Sequence, residues 1–296
     1  MPVHELGLRI AIGIATRGRA DILRQTLLEI RCQTRRPERI VVCHTGPDDV
    51  TGLGDMAEVE FITAASGLPR QRNAILDHAG DCDVMLFLDD DFLMAPGYVE
   101  ATAAAFAAWP DIVVTTGWTI ADGARGPGFT PEAARMLIRG AAPPAGTDTT
   151  WPADHGYGCN MAIRLAAACT HGVRFDERLP LYGWSEDVDY THRLGRHGRI
   201  VKLPAARGVH LGTKHGRTSG VRLGYSQVAN PIYLFGKGSY GWRRAAGSVG
   251  RNLAANALKS LWSEPYIDRR GRLGGNALAF LDLLRGRLDP ERVLSI

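Results

Sequence analysis

The sequence predicts an α/β fold, with a mostly parallel sheet flanked by helices and a helical extension after it. Three observations carry that expectation. Apolar runs of strand length alternate with segments of helical periodicity through the first half of the chain, and such a β-α-β-α-β rhythm implies right-handed crossovers and parallel strands. One of those runs, Val84-Met85-Leu86-Phe87-Leu88, is apolar at every position and ends in Asp89-Asp90-Asp91. Strands buried on both faces belong to covered parallel sheets, whose ligands gather beyond the carboxyl ends. The charge is also divided: from Gly216 to Ile296 there are 13 Lys and Arg against 5 Asp and Glu, so this segment carries +8 of the +4 total and the first 215 residues carry −4. An acidic body with a basic tail segment implies two surfaces with different partners.

Composition narrows the class. An apolar fraction of 45% and a charged fraction of 22% in 296 residues suit one large globular domain, or a core domain with an appendage. Cys32, Cys43, Cys82, Cys159 and Cys169 are odd in number and lack paired spacing, which excludes a disulfide framework and a zinc site and implies a reducing compartment. Met1 to Leu8 has neither the basic nor the apolar region of a signal peptide. No window reaches about 18 uninterrupted apolar residues, so a cytoplasmic chain is expected.

Leu8 to Ala15 suits a first core strand. Thr16-Arg17-Gly18-Arg19 turns into a helix from Ala20 to Arg31, with Ile22, Leu23, Leu27 and Ile30 at helical spacing. This unit places backbone N–H groups and two arginines where a phosphate or a base can dock. Arg39 to Cys43 reads as a second strand and Val59 to Ile62 as a third. Gly67 to Asn73 then opens a short helix through His78, in which Arg70 and Arg72 either start a solvated helix or face the anionic half of a ligand. The acidic strand follows. Three adjacent carboxylates repel one another unless a cation or several donors sit opposite, so Asp89, Asp90 and Asp91 read either as a solvated turn or as an oxygen-lined site for Mg²⁺ or Mn²⁺ that also grips a phosphate-bearing ligand.

Beyond it, Pro96 opens an Ala-rich helix through Trp109, and Ile112 to Thr115 reads as a strand. Gly, Pro and Thr accumulate between Asp122 and Thr150 around one helical pattern, Pro131 to Ile138, which marks a lid or insertion over a binding site. Gly156 and Gly158 let the backbone come close to a ligand, or make a tight turn. Ser185 is the expected N-cap of a helix through Leu194, whose first turn favours acids. A short strand, Arg199 to Leu203, runs to Pro204, and His210 beyond it reads as a packing residue or a metal ligand shared with the acids.

Taken in order, these motifs resemble the inverting family 2 glycosyltransferases of the GT-A fold, over roughly Arg9 to Leu211. Ile14 to Arg19 sits where that family has its first nucleotide-binding turn, and Leu88-Asp89-Asp90-Asp91 matches its DxD motif. Gly156 to Asn160 matches its glycine-rich acceptor loop, Trp184-Ser185-Glu186-Asp187 its acidic pair, and His210 its late metal-binding histidine. The resemblance implies a Rossmann-like, mostly parallel mixed sheet flanked by helices in residues 1–215, split into a nucleotide-sugar half (about 9–118) and an acceptor half (about 119–215). Residues 216–296 are then a basic helical C-terminal extension. It further implies a donor site at Ala15, Thr16, Arg17, Arg70, Arg72, Asp89 and Asp90, with Asp90 on the ribose. Asp91 and His210 would hold the metal, Asp187 would be the general base, and Gly158, Trp184 and Glu186 would shape the acceptor pocket. The chain departs from the family in its first turn, Ala15-Thr16-Arg17-Gly18 in place of Pro-Thr-Tyr-Asn. It departs again at the end of the second strand, where Cys43-His44 stands in place of a base-reading Asp. Both changes leave the nucleotide open.

The implied reaction moves one sugar from a nucleoside-diphosphate sugar to a glycan acceptor, with inversion. A sugar nucleotidyltransferase would open on a Gly-rich loop that Thr16-Arg17-Gly18-Arg19 fits poorly, and a processive synthase would need membrane spans and a Gln-x-x-Arg-Trp motif, both missing here. A non-catalytic sugar-nucleotide or glycan-binding module has no use for Asp187. In the extension, Tyr225, Tyr233, Phe235, Tyr240, Trp242, Trp262 and Tyr266 interleave with Arg243, Arg244, Arg251 and Lys259. The segment either packs on the core or lies on an anionic membrane surface. No nucleic-acid motif accompanies the basic face. The membrane alternative implies a lipid-linked glycan as acceptor, at the inner face of the plasma membrane.

Overall fold

The computed structural model describes residues 7–142, 149–214, 219–262 and 264–296. The expectations for the first six residues and for the centre of the Asp122–Thr150 loop, 143–148, lie outside the described residues. In chain order the elements are β1 (Ile10–Ala15), α1 (Ala20–Arg31), β2 (Arg39–His44), β3 (Val59–Thr63), α2 (Leu68–Asp77), β4 (Val84–Asp89), β5 (Phe92–Met94), α3 (Tyr98–Ala108) and β6 (Ile112–Asp122). They continue with α4 (Pro131–Gly140), β7 (Trp151–Pro152), β8 (Asn160–Arg164), α5 (Leu165–Thr170), α6 (Glu186–Leu194), β9 (Arg199–His210), α7 (Gly220–Gly236), α8 (Trp242–Lys259) and α9 (Arg269–Leu284).

The strands form one mixed sheet of order β3-β2-β1-β4-β8-β6-β9-β5, with β7 paired to β9. β1, β2, β3 and β4 are mutually parallel, and β8 runs against both β4 and β6, so β4, β6 and β9 end at the same edge. The period of two splits the core between the sheet's two faces. Ile10, Ile12, Ile14 and Leu86 meet Leu23 and Leu27 of α1 and Phe106 of α3. Ala11, Met85 and Phe87 meet Ile75 of α2 and Tyr190 and Leu194 of α6.

Three local expectations change. β6 runs on from Thr115 to Asp122, into the stretch whose composition suggests a loop. β9 does not stop at Leu203: its ladder with β6 slips between Gly117/Leu203 and Trp118/Arg207, and this irregularity absorbs Pro204 and carries the strand to His210. Ser185 makes no side-chain cap to α6 and instead adopts a left-handed backbone, φ 69°. Leu181 and Gly183 are left-handed too, at 58° and 61°.

The C-terminal helices pack on α6 and the segment before it. Asn230 donates to the Trp184 carbonyl at 2.9 Å, Tyr233 to Asp176 at 2.8 Å, and Lys237 ion-pairs with both Asp176 and Asp189. Within the extension α7 and α9 cross at backbone contact: a Cβ on Gly224 would lie 2.1 Å from the Arg272 carbonyl, and one on Gly275 2.0 Å from that of Val221. Beside this crossing, Asn276 donates to the Gly224 carbonyl, and Asn256 donates to Asn276 and Gln227. The interleaved aromatics divide, with Tyr225 and Tyr240 buried and Phe235, Trp242, Trp262 and Tyr266 exposed. Among the described residues, no helix is long and apolar enough to cross a membrane.

Candidate active site

Three strand ends bring the acids and the histidine together. Asp89 closes β4, Asp122 closes β6 and His210 closes β9. Asp89, Asp91 and His210 each offer one ligand atom, all within 4.8 Å of one another. His210 Nε2 lies 3.3 Å from Asp91 and 3.8 Å from Asp89. Its Nδ1 is held by Asp122 at 2.9 Å, and Asp122 accepts in turn from the Tyr157 hydroxyl at 2.8 Å. A carboxylate on the far nitrogen is what orients a ligating imidazole. Two carboxylates and an imidazole so oriented are a donor set that fits a divalent cation of the Mg²⁺ and Mn²⁺ class. Burial works against charge on His210, but Asp122 and Asp91 outweigh it and hold the group up at about 10. Asp91 is driven the other way: its burial is outweighed by His210 and Arg19, and it sits well below the usual carboxylate range.

The sequence reading places Asp90 on a ribose; in the structure its side chain is fully buried, in the turn that follows β4. One carboxylate oxygen accepts from the Thr16 hydroxyl at 2.7 Å, and the other pairs with Arg19 at 3.0 Å. Its carbonyl accepts from Thr26 of α1 at 2.7 Å. Burial pushes its carboxyl up to about 7 against the pull of Arg19. Asp90 is therefore a buried strut between the β1 turn and β4, and its second oxygen, facing Arg19, accepts no hydrogen bond.

Arg72 and Glu186 also change role. Arg72 is 2% exposed and Glu186 3%, and the two form an ion pair. The same guanidinium donates to the Gly158 carbonyl at 2.6 Å and to Asp89 at 3.3 Å, and lies 5.6 Å from the Phe87 and Phe175 rings. Burial pushes Glu186 up, and Arg72 pulls it back. The pair braces the interior, whereas the sequence places Arg72 on the donor and Glu186 on the acceptor.

Asp187, next to this brace, is only partly buried. It accepts from the Gly158 N–H at 2.9 Å and from the Val188 N–H at 2.8 Å. A Cβ on Gly158 would sit 3.1 Å from the Asp187 carboxylate and 3.3 Å from Arg72, so a side chain here would push both groups by a few tenths of an ångström. Asp89, Arg72, Gly158 and Asp187 thus form one chain of contacts from the metal-type cluster to the acid at the start of α6. Trp184 stands beside it, partly buried, with its ring 6.4 Å from that of Tyr182 and its indole Nε1 without a hydrogen-bond partner.

The remaining donor-side residues lie along the β1 edge. Ala15 ends β1 and Thr16 is buried, its carbonyl bound by Gln71. Arg17 is exposed and reaches Ser66 at 3.1 Å, and Arg70 is exposed and lies 3.7 Å from Glu177. Arg19, the second arginine that the sequence offers to a phosphate, lies 3.6 Å from Asp91. Sequence reasoning missed two residues. Asp122 opens the stretch that composition reads as a loop. Asp49, buried, gathers the N–H groups of Gly18, Thr45 and Gly46; it lies five residues on from His44, beside the Cys43-His44 departure.

The structure is similar to GalNAc-T7 with UDP, GalNAc and Mn²⁺ (TM-score 0.60, 15% identity, covering 98% of this chain and 56% of that one). It is similar to S. aureus TarS 1-349 in complex with UDP-GlcNAc (0.57, 16%, 97% and 83%) and to the mannosyltransferase PcManGT from Pyrobaculum calidifontis in complex with GDP-Man and Mn²⁺ (0.54, 16%, 97% and 84%). Against the longer TarS structure the match spans 40% of that chain. At these identities the likeness establishes the fold, which is GT-A. No curated protein sequence matches the chain. The model of the family described as glycosyl transferase family 2 matches residues 11–168, more than half of the 296, and the chain is a glycosyltransferase belonging to that family.

Proposed function

We propose that this glycosyltransferase moves a single sugar from a nucleoside-diphosphate sugar to a glycan acceptor and inverts the anomeric centre. The observation that carries the reading is the contact chain from Asp89 through Arg72 and Gly158 to Asp187, because it ties a cation-type cluster to a partly exposed acid. A divalent cation, Mn²⁺ or Mg²⁺, held by Asp89, Asp91 and His210 would neutralise the charge developing on the departing diphosphate. Arg19 lies on the same carboxylates and adds a fixed positive group beside the phosphates. Asp187 takes the proton of the attacking hydroxyl, which a carboxylate within hydrogen-bond reach can do. Two backbone N–H groups hold its oxygens in position for that transfer. Trp184 offers an aromatic face for the acceptor ring.

In this reading residues 1–215 are the catalytic domain and 216–296 an extension that brings the acceptor. The acceptor is a lipid-linked glycan used in polysaccharide assembly, met at the inner face of the plasma membrane. Trp242, Leu258, Leu261 and Trp262, each more than 60% exposed, flank Arg243 and Lys259, an amphipathic pattern that suits an anionic lipid surface. A thermal-shift screen of UDP-, GDP- and dTDP-sugars with Mn²⁺ or Mg²⁺ tests the donor, since a ligand of the folded state raises Tm. No shift with any pair would sink the reading. Flotation with anionic liposomes tests the membrane surface, and a protein left at the bottom of the gradient at low salt would count against it.

A further inference from the structure

The mechanism above leaves unused a polar cavity between the extension and the segments that hold Asp187. It measures about 390 Å³ and lies where α8 faces the start of α6 and the loop before β8. Asp154, His155, Ser185, Val188, Tyr240, Arg244, Ser248 and Arg251 line it. Ser185 and Val188 flank Asp187 in the chain, and His155 lies three residues before Gly158, whose N–H holds Asp187. The same two segments that fix the acid therefore form one wall of the cavity, and the extension forms the other.

Its lining is cationic. Two arginines face one carboxylate, and that carboxylate is already occupied: Asp154 ion-pairs with Arg244 and accepts from His155 at 3.0 Å, with His192 3.8 Å away. Arg251 makes no hydrogen bond or ion pair among the described residues. Its guanidinium folds back over Gly247, near enough that a Cβ there would meet it at 3.1 Å. Arg251 is exposed, so its guanidinium stands at the open side of a polar cavity whose lining includes Ser185, Ser248 and Tyr240, and it is suited to a forked contact with a tetrahedral anion.

We infer that this cavity is an anion subsite of the acceptor, in which Arg251 and Arg244 bind a phosphoryl group carried by the molecule that Asp187 deprotonates. The inference rests on the glycosyltransferase reading and narrows its acceptor to phosphorylated ones. The phosphoryl group has two chemical sources: a phosphate within a polyol or sugar chain, or the diphosphate that links a glycan to its lipid carrier. In the extension, then, Arg251 is a specificity residue of the acceptor site.

The test uses the full chain saturated with Mn²⁺ and the nucleoside diphosphate that the donor screen selects, so that the donor site is closed to other phosphates. Glycerol 1-phosphate and geranyl diphosphate are titrated separately by calorimetry into wild type, Arg251→Gln, Arg244→Gln and Arg251→Lys. The expected result is binding of at least one probe, weakened tenfold or more by Arg251→Gln and Arg244→Gln and less by Arg251→Lys, with nucleotide affinity and Tm unchanged in Arg251→Gln. The probe that binds tighter identifies the source. Absence of binding by both probes, or equal affinities in wild type and Arg251→Gln, would overturn the inference while leaving the donor chemistry intact. Failure of the glycosyltransferase reading would show separately, as loss of Mn²⁺-dependent nucleotide binding in the wild type.

Discussion

The sheet and the extension are built on opposite plans. The sheet buries apolar residues, such as Ile12, Leu86 and Phe87, and pushes its polar chemistry to the strand ends, where Asp89, Asp122 and His210 meet. The extension has a small apolar core of Tyr225, Val228, Ala229, Ala279 and Val293, but it also buries Gln227, Asn256 and Asn276, all 2% exposed or less, and leaves Leu258, Leu261, Trp262 and Leu284 outside. An apolar interior can be packed in many ways. A buried amide must meet its partner or lose about 1–3 kcal/mol. The difference teaches that backbone approach and amide pairing, beside a small apolar core, set the extension's architecture. Its outward apolar side chains are therefore free to serve another surface.

That contrast can be broken at graded points. The largest effect is expected at the strand-end chemistry. Asp187→Asn should lower kcat by roughly 10²–10⁴ while nucleotide binding persists, measured by turnover and by calorimetry; retained turnover would remove Asp187 from its role. Chelation by EDTA should abolish turnover, and titration with Mn²⁺ should restore it in wild type but not in Asp91→Asn. Next come the extension's interior contacts. Gly224→Val should cost about 3 kcal/mol or more in urea unfolding, because the new side chain meets the Arg272 carbonyl and two helices must separate. Asn256→Ala should cost about 1–2 kcal/mol, since Asn276 and Gln227 are left with groups unmet. The smallest stability change belongs to the surface: Trp262→Ser should stay within about 0.5 kcal/mol in the same assay and still weaken liposome flotation.

How legible each part was follows from where its signal lay. The acidic strand could be read because five apolar residues lead straight into three acids, a local pattern that marks a buried strand with its polar groups at the carboxyl end. The helix α1 could be read from its spacing alone. What the middle acid does could not, since it depends on Thr16 and Arg19, more than 70 residues earlier in the chain. Asp122 was hidden for another reason: β6 continues because β8 and β9 pair with it, and neither partner is adjacent in sequence. Ser185 looked like a cap because its residue type and the acids after it fit one. The chain reaches α6 through left-handed turns, which a composition rule does not foresee.

Those turns have a consequence for how this segment can drift in evolution. Leu181 and Ser185 hold a backbone shape that costs an ordinary residue about 1–2 kcal/mol, with Gly183 between them. A saturation library at positions 181 and 185 should accept glycine and asparagine with a gain in melting temperature and reject valine and isoleucine. The segment before α6 is thus held in an unfavourable shape that its surroundings, rather than its own residues, make permanent.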